Sequence, residues 1–100
     1  MKTTKVVTPI TEGINRRFFI AIEALVSLGR LSALESFCKE SGLSPSRYRE
    51  TRLTYGVTPN LSSKPSRYKA IEFEALYSLV NNYGIAAEWL LVGRGKMFKQ

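Results

Sequence analysis

The chain has 100 residues and carries 15 Lys plus Arg against 8 acidic residues, a formal charge of +7 at neutral pH. That describes one small basic domain, too short for the second core of a two-domain enzyme. There is no histidine and no aspartate, and Cys38 is the only cysteine. Histidine triads, paired aspartates, Cys/His zinc sites and an internal disulfide are therefore excluded within one chain. The expectation is a non-enzymatic protein with no cofactor, held together by packing in a reducing, cytoplasmic setting.

Residues 1–12 alternate threonine with lysine and lack the apolar stretch of a signal peptide, so they read as a flexible amino-terminal arm before a domain spanning 13–98. The longest apolar run, Phe18 to Ile22, falls far below the roughly 18 residues of a membrane span. From Ile14, apolar residues at Phe18, Ile22, Leu25 and Leu28 keep a helical period up to Gly29, a C-cap residue; this is helix one. Ser32 and Glu35 match a capping box and start helix two, whose apolar face is Leu34, Phe37 and Cys38 and which stops at Gly42.

Ser44 followed by Pro45 is a second start signal, a serine N-cap with proline where the missing amide costs nothing. Only Gly42 and Leu43 separate the two helices, so the chain must turn sharply between them in the manner of a helix-turn-helix. Residues 56–66, rich in Gly, Pro, Asn and Ser, read as a loop. Helix four carries Ile71 or Phe73, then Leu76, Leu79, Val80 and Tyr83, and stops at Asn81, Asn82 and Gly84. A short helix five from Ala86 presents Trp89, Leu90 and Val92 and ends at Gly93 and Gly95. The repeated Pro-Ser-Arg-Tyr at 45–48 and 65–68 has unmatched flanks and carries no repeat.

The charge is unevenly placed. Residues 44–69 hold six basic side chains against Glu50 alone, a net +5, whereas residues 70–93 hold three glutamates and no basic residue. A one-sided positive field concentrates polyanions, and nucleic acid is the leading partner; taken alone, the charge equally fits a solvated basic surface.

On helix three, a rotation of 100° per residue puts Tyr48, Thr51 and Tyr55 on the core side and Ser46, Arg49, Glu50 and Leu53 on the opposite face. Such a face suits the major groove. Arg49 is the best base reader, because its guanidinium fork can donate to O6 and N7 of one guanine. Ser46 suits a base or a phosphate. Glu50 either accepts from a cytosine amino group or orients neighbouring arginines. Arg47, Arg52, Lys64, Arg67 and Lys69 are placed as neutralisers of backbone phosphates. Trp89 and Tyr83 read as core packing, Cys38 as a small buried hydrophobe, and Gly93-Arg94-Gly95-Lys96 as helix-ending glycines, since the spacing of a phosphate loop is absent.

Two segments carry a family resemblance. Phe37-Cys38-Lys39-Glu40-Ser41-Gly42-Leu43-Ser44 has a small residue, Cys38, four before the turn glycine. Tyr83 to Met97 looks like the W-L-L-x-G-x-G-x-M ending of phage-repressor amino-terminal domains. Over roughly residues 14–98 the chain thus resembles the phage-repressor or Cro-like, lambda-repressor-like (XRE-type) helix-turn-helix family. The resemblance implies a five-helix domain that binds double-stranded operator DNA, usually as a homodimer, with helix three in the major groove. It places Ser44, Ser46, Arg49, Glu50 and Leu53 in base-facing slots. Leu34 stands where the family often has a phosphate-binding glutamine, and the long basic loop with Lys64 and Arg67 offers a replacement for that contact. The alternative reading is a protein-interaction module, antirepressor or antitoxin-like, that keeps the fold without reading DNA.

Overall fold

The computed structural model describes residues 7–62 and 64–99. Within them lie five helices and no strand: α1 (Pro9–Ser27), α2 (Leu34–Ser41), α3 (Pro45–Tyr55), α4 (Phe73–Tyr83) and α5 (Ala87–Val92). The all-α expectation with five helices holds, and no described helix is long and apolar enough to cross a membrane.

α1 begins earlier than its apolar stripe suggests. Thr8 is its N-cap, with Oγ1 accepting from the Thr11 N–H at 3.1 Å, Pro9 is in the first turn, and Glu12 adds an acid there. Residues 9–12, expected in the flexible arm, are therefore the first turn of α1, while residues 1–6 lie outside the described residues. At the other end the Gly29 N–H donates to the Val26 carbonyl and the Arg30 N–H to the Leu25 carbonyl, so the predicted glycine stop is present. Leu28, expected on the apolar stripe, is instead exposed beyond the last turn.

The predicted capping box of α2 does not form. Ala33 is the N-cap with no side-chain cap bond, Ser32 pairs with Ser36 through their hydroxyls, and the Glu35 carboxylate goes to Arg49. Burial of both Leu31 and Leu34 sets the register here and leaves Ser32 one residue outside the helix. α2 ends at Gly42, whose φ of 71° is the left-handed conformation that a Cβ would disfavour. The Leu43 N–H then returns to the Cys38 carbonyl at 2.8 Å, which turns the chain into α3.

α1 is the central element and packs against α3, α4 and α5, while α2 lies against α3 and α4. Its Phe18 ring stands edge-on to Phe19 at 4.9 Å and Phe37 at 5.7 Å and is tilted to Tyr48 at 5.6 Å. Ile22, Leu25, Cys38, Ala75, Leu79, Ile85 and Leu90 complete a core of fully buried side chains. Ile71, not Phe73, enters the core at the start of α4; Phe73 is 73% exposed. In α5 only Leu90 is fully buried; Trp89 packs half-buried on the core, and Val92 faces solvent.

The segment between α3 and α4 runs from Gly56 to Glu72, longer than the 56–66 loop read from composition. It is anchored by a polar group inside the core. The fully buried Asn15 donates from Nδ2 to the Lys69 carbonyl at 3.0 Å and accepts the Ile71 N–H on Oδ1 at 3.1 Å. Arg17 similarly reaches the carbonyls of Leu90 and Leu91 at 2.9 and 3.2 Å, fastening the carboxyl end of α5 to α1.

Candidate nucleic-acid interface

Ser44 caps α3 as expected, its Oγ accepting the Arg47 N–H at 3.3 Å and lying 3.2 Å from Ser46 Oγ, with Pro45 in the first turn. The helix shows the expected two faces. Tyr48, Thr51 and Tyr55 are buried, while Ser44, Ser46, Arg49 and Leu53 are exposed and Glu50 is half-buried. Thr51 satisfies its buried hydroxyl by donating to the Arg47 carbonyl one turn back, at 2.8 Å. Tyr48 locks α3 to the start of α4: its hydroxyl donates to the Glu72 carboxylate at 3.0 Å and accepts the Glu72 N–H at 3.1 Å. Burial pushes the Tyr48 phenol well above its ordinary range, so it stays a neutral donor.

The exposed face carries charged side chains at Arg49 and Glu50. Arg49 Nη1 lies 3.1 Å from Glu35 Oε2 across the two helices, with both side chains about half exposed. Water therefore competes for the pair. Glu50 is held by one residue of the long loop, accepting the Arg67 backbone N–H at 3.2 Å, Nε at 3.3 Å and Nη2 at 3.3 Å. These bonds hold the Glu50 carboxyl below the usual carboxylate range. Of the two roles expected for Glu50, this contact is the orienting of an arginine.

The expected phosphate-binding residues divide into two groups. Arg47 turns away from the exposed face of α3. Its Nη2 donates to the Ala70 carbonyl at 3.3 Å, its Nη1 stands 3.8 Å from Glu72, and its guanidinium lies 4.5 Å over the Tyr68 ring. Arg67 stacks on the same Tyr68 at 5.3 Å, so the tyrosine joins two cations. Lys64 and Arg67 are exposed, Lys69 is exposed with its ammonium 3.3 Å from the Ser66 carbonyl, and Arg52 is half-buried on the last turn of α3. Arg67 keeps 76% of its side chain exposed while paired with Glu50. No protein-family model, curated protein or solved structure matches this chain.

Some residues of the site lack a signal in their own neighbourhood of sequence. Glu35 reads as a capping residue by its spacing, whereas its pairing with Arg49 depends on the crossing of α2 and α3. Tyr68 meets the two arginines just before the stretch that Asn15 and Glu72 hold in place. Asn15 does have a signal: it shares a helical face with Phe19 and Ile22, so a polar side chain there has to find partners inside the core. Cys38 is fully buried, and burial pushes its thiol up to about 11 against the opposing pull of Arg49. It is a small side chain of the core contributed by α2.

Proposed function

We propose that this chain is a sequence-specific, double-stranded DNA-binding transcriptional regulator of the phage or mobile-element repressor type. In this reading α2 and α3 form a lambda-repressor-like helix-turn-helix with α3 in the major groove. The observation that carries it is the outward face of α3: Ser44, Ser46, Arg49 and Leu53 are exposed within a segment of net charge +5. Arg49 exchanges its water-exposed partner Glu35 for the O6 and N7 of a guanine, where a bidentate contact is stronger and geometrically specific. Ser44 and Ser46 stand at the amino-terminal end of α3, whose partial positive charge adds to attraction for a phosphate or a base acceptor.

Arg52, Lys64, Arg67 and Lys69 neutralise backbone phosphates, with Glu50 aiming Arg67. Arg47, committed to Glu72, Ala70 and Tyr68, supports the loop and contributes least to binding. Nothing in this mechanism calls for a cofactor or a catalytic group, and the setting it implies is cytoplasmic. A homodimer would place two such helices on a symmetric site.

A second reading, a protein-interaction module, draws on a different surface. Phe73, Tyr77 and Leu91 are exposed beside an apolar groove of about 200 Å³ between α4 and α5. A gel-shift titration against genomic duplex at two salt concentrations separates the two. The DNA reading gives binding whose log–log salt slope is about −0.9 for each phosphate neutralised. Absence of duplex binding by the folded protein favours the interaction module.

A further inference from the structure

The long loop does not leave α3 at its carboxyl end. The Asn60 N–H donates to the Leu53 carbonyl at 3.0 Å, and the Ser66 N–H donates to Thr54 Oγ1 at 2.8 Å. An Asn60 turn, closed by the Ser62 N–H on Oδ1 at 3.0 Å, shapes the tip between these anchors. A shallow cavity of about 200 Å³ results, lined by Leu53, Thr54, Pro59, Asn60, Leu61 and Pro65. Its two leucines stay in water: Leu53 is 42% and Leu61 92% exposed.

The two exposed leucines line one cavity with two prolines, an apolar patch rather than a single surface leucine. The surroundings indicate its occupant, because Arg52, Lys64 and Arg67 belong to the same stretch of chain and attract a polyanion. The major groove of DNA presents one purely apolar group, the 5-methyl of thymine. We infer that Leu53 and Leu61, with Pro59 and Pro65, form a methyl-reading patch that packs on thymine 5-methyl groups at the flank of the site, beyond the bases met by Ser46 and Arg49. This inference rests on the DNA-binding reading of α3 and adds a base preference that hydrogen bonding does not supply. It also gives the long loop a specific duty beyond phosphate contact.

The test uses the full chain and the best duplex recovered from a random pool, with each thymine replaced in turn by deoxyuridine. Uracil pairs as thymine does and removes only the methyl. At the flank thymines the expected loss is about fourfold per methyl, the equivalent of one buried methylene-sized group. The same replacements leave the affinity of Leu53→Ala/Leu61→Ala unchanged. Both leucines lie outside the buried core, so the double variant stays folded, which thermal unfolding checks. Unchanged wild-type affinity at every thymine, with specific binding intact, overturns the patch and leaves the DNA reading standing. An equal loss by Leu61→Ala on thymine and uracil duplexes overturns it too, since that is the behaviour of a wedge between base pairs or of a backbone contact. Failure to recover any preferred duplex removes the DNA reading and the patch together.

Discussion

Arg49 and Glu50 are neighbours in sequence with different partners, Glu35 for the first and Arg67 for the second. On the proposed DNA reading, Arg49→Ala removes a bidentate donor and is expected to cost about 1–3 kcal/mol on the preferred duplex while leaving random duplex nearly unaffected. Paired binding titrations check this, and equal losses on both duplexes would remove Arg49 from the reading role. Glu50 makes its contribution through Arg67. Its carboxyl is held below the ordinary value near 4.3, so the bonds to Arg67 are fully present above that value and are lost as pH falls through the lowered one. A carboxyl NMR titration should show a depressed midpoint for Glu50 that moves toward the ordinary range in Arg67→Ala, which removes the guanidinium and keeps the backbone N–H. Asn15→Ala leaves the buried Ile71 N–H and the Lys69 carbonyl without their partner, and unfolding by denaturant should show a loss of about 1–3 kcal/mol. The faces of α3 are legible in the sequence because Tyr48, Thr51 and Tyr55 repeat every three to four residues. The partners of Arg49, Glu50 and Asn15 are not. They lie 14, 17 and more than 50 positions away, and no local period encodes such a meeting.

At the scale of the elements, start and stop signals set what can be read. Ser44-Pro45 at α3 and the glycines after α1, α2, α4 and α5 mark real boundaries. Thr8-Pro9 is the same kind of start signal as Ser44-Pro45, yet the apolar stripe begins only at Ile14, so periodicity hides the first turn of α1. Ser32 and Glu35 have the right spacing for a box, but burial of Leu31 and Leu34 sets a different register and frees Glu35 for Arg49. The carboxyl end of α3 depends on Gly56. A Cβ there would lie 2.5 Å from the Arg52 carbonyl oxygen and 2.7 Å from Arg52 Cγ. Gly56→Ala must therefore displace the last turn of α3 or the entry to the loop. The expected destabilisation is about 1–3 kcal/mol, the range of an overpacked site, and thermal unfolding measures it. Because Arg52 lies in that turn, the same variant should also weaken binding to all duplexes alike.

Across the whole molecule, the net +7 acquires meaning from the way the chain folds back on itself. The basic stretch 44–69 comprises α3 and most of the loop pinned beside it, while the three glutamates of residues 70–93 include Glu72, which neutralises Arg47. Four exposed or half-exposed cations, Arg52, Lys64, Arg67 and Lys69, remain for a polyanion. Together they predict a log–log salt slope of about −3.6 per chain, reduced by about one unit in Lys64→Ala with no change in base preference. The most direct test of a sequence-reading α3 is selection of bound duplexes from a random pool by the wild-type protein and by Arg49→Ala in parallel. A defined site containing a guanine, whose preference disappears in Arg49→Ala while weaker non-specific binding survives, is the predicted result. The same unbiased pool recovered by both proteins would contradict it.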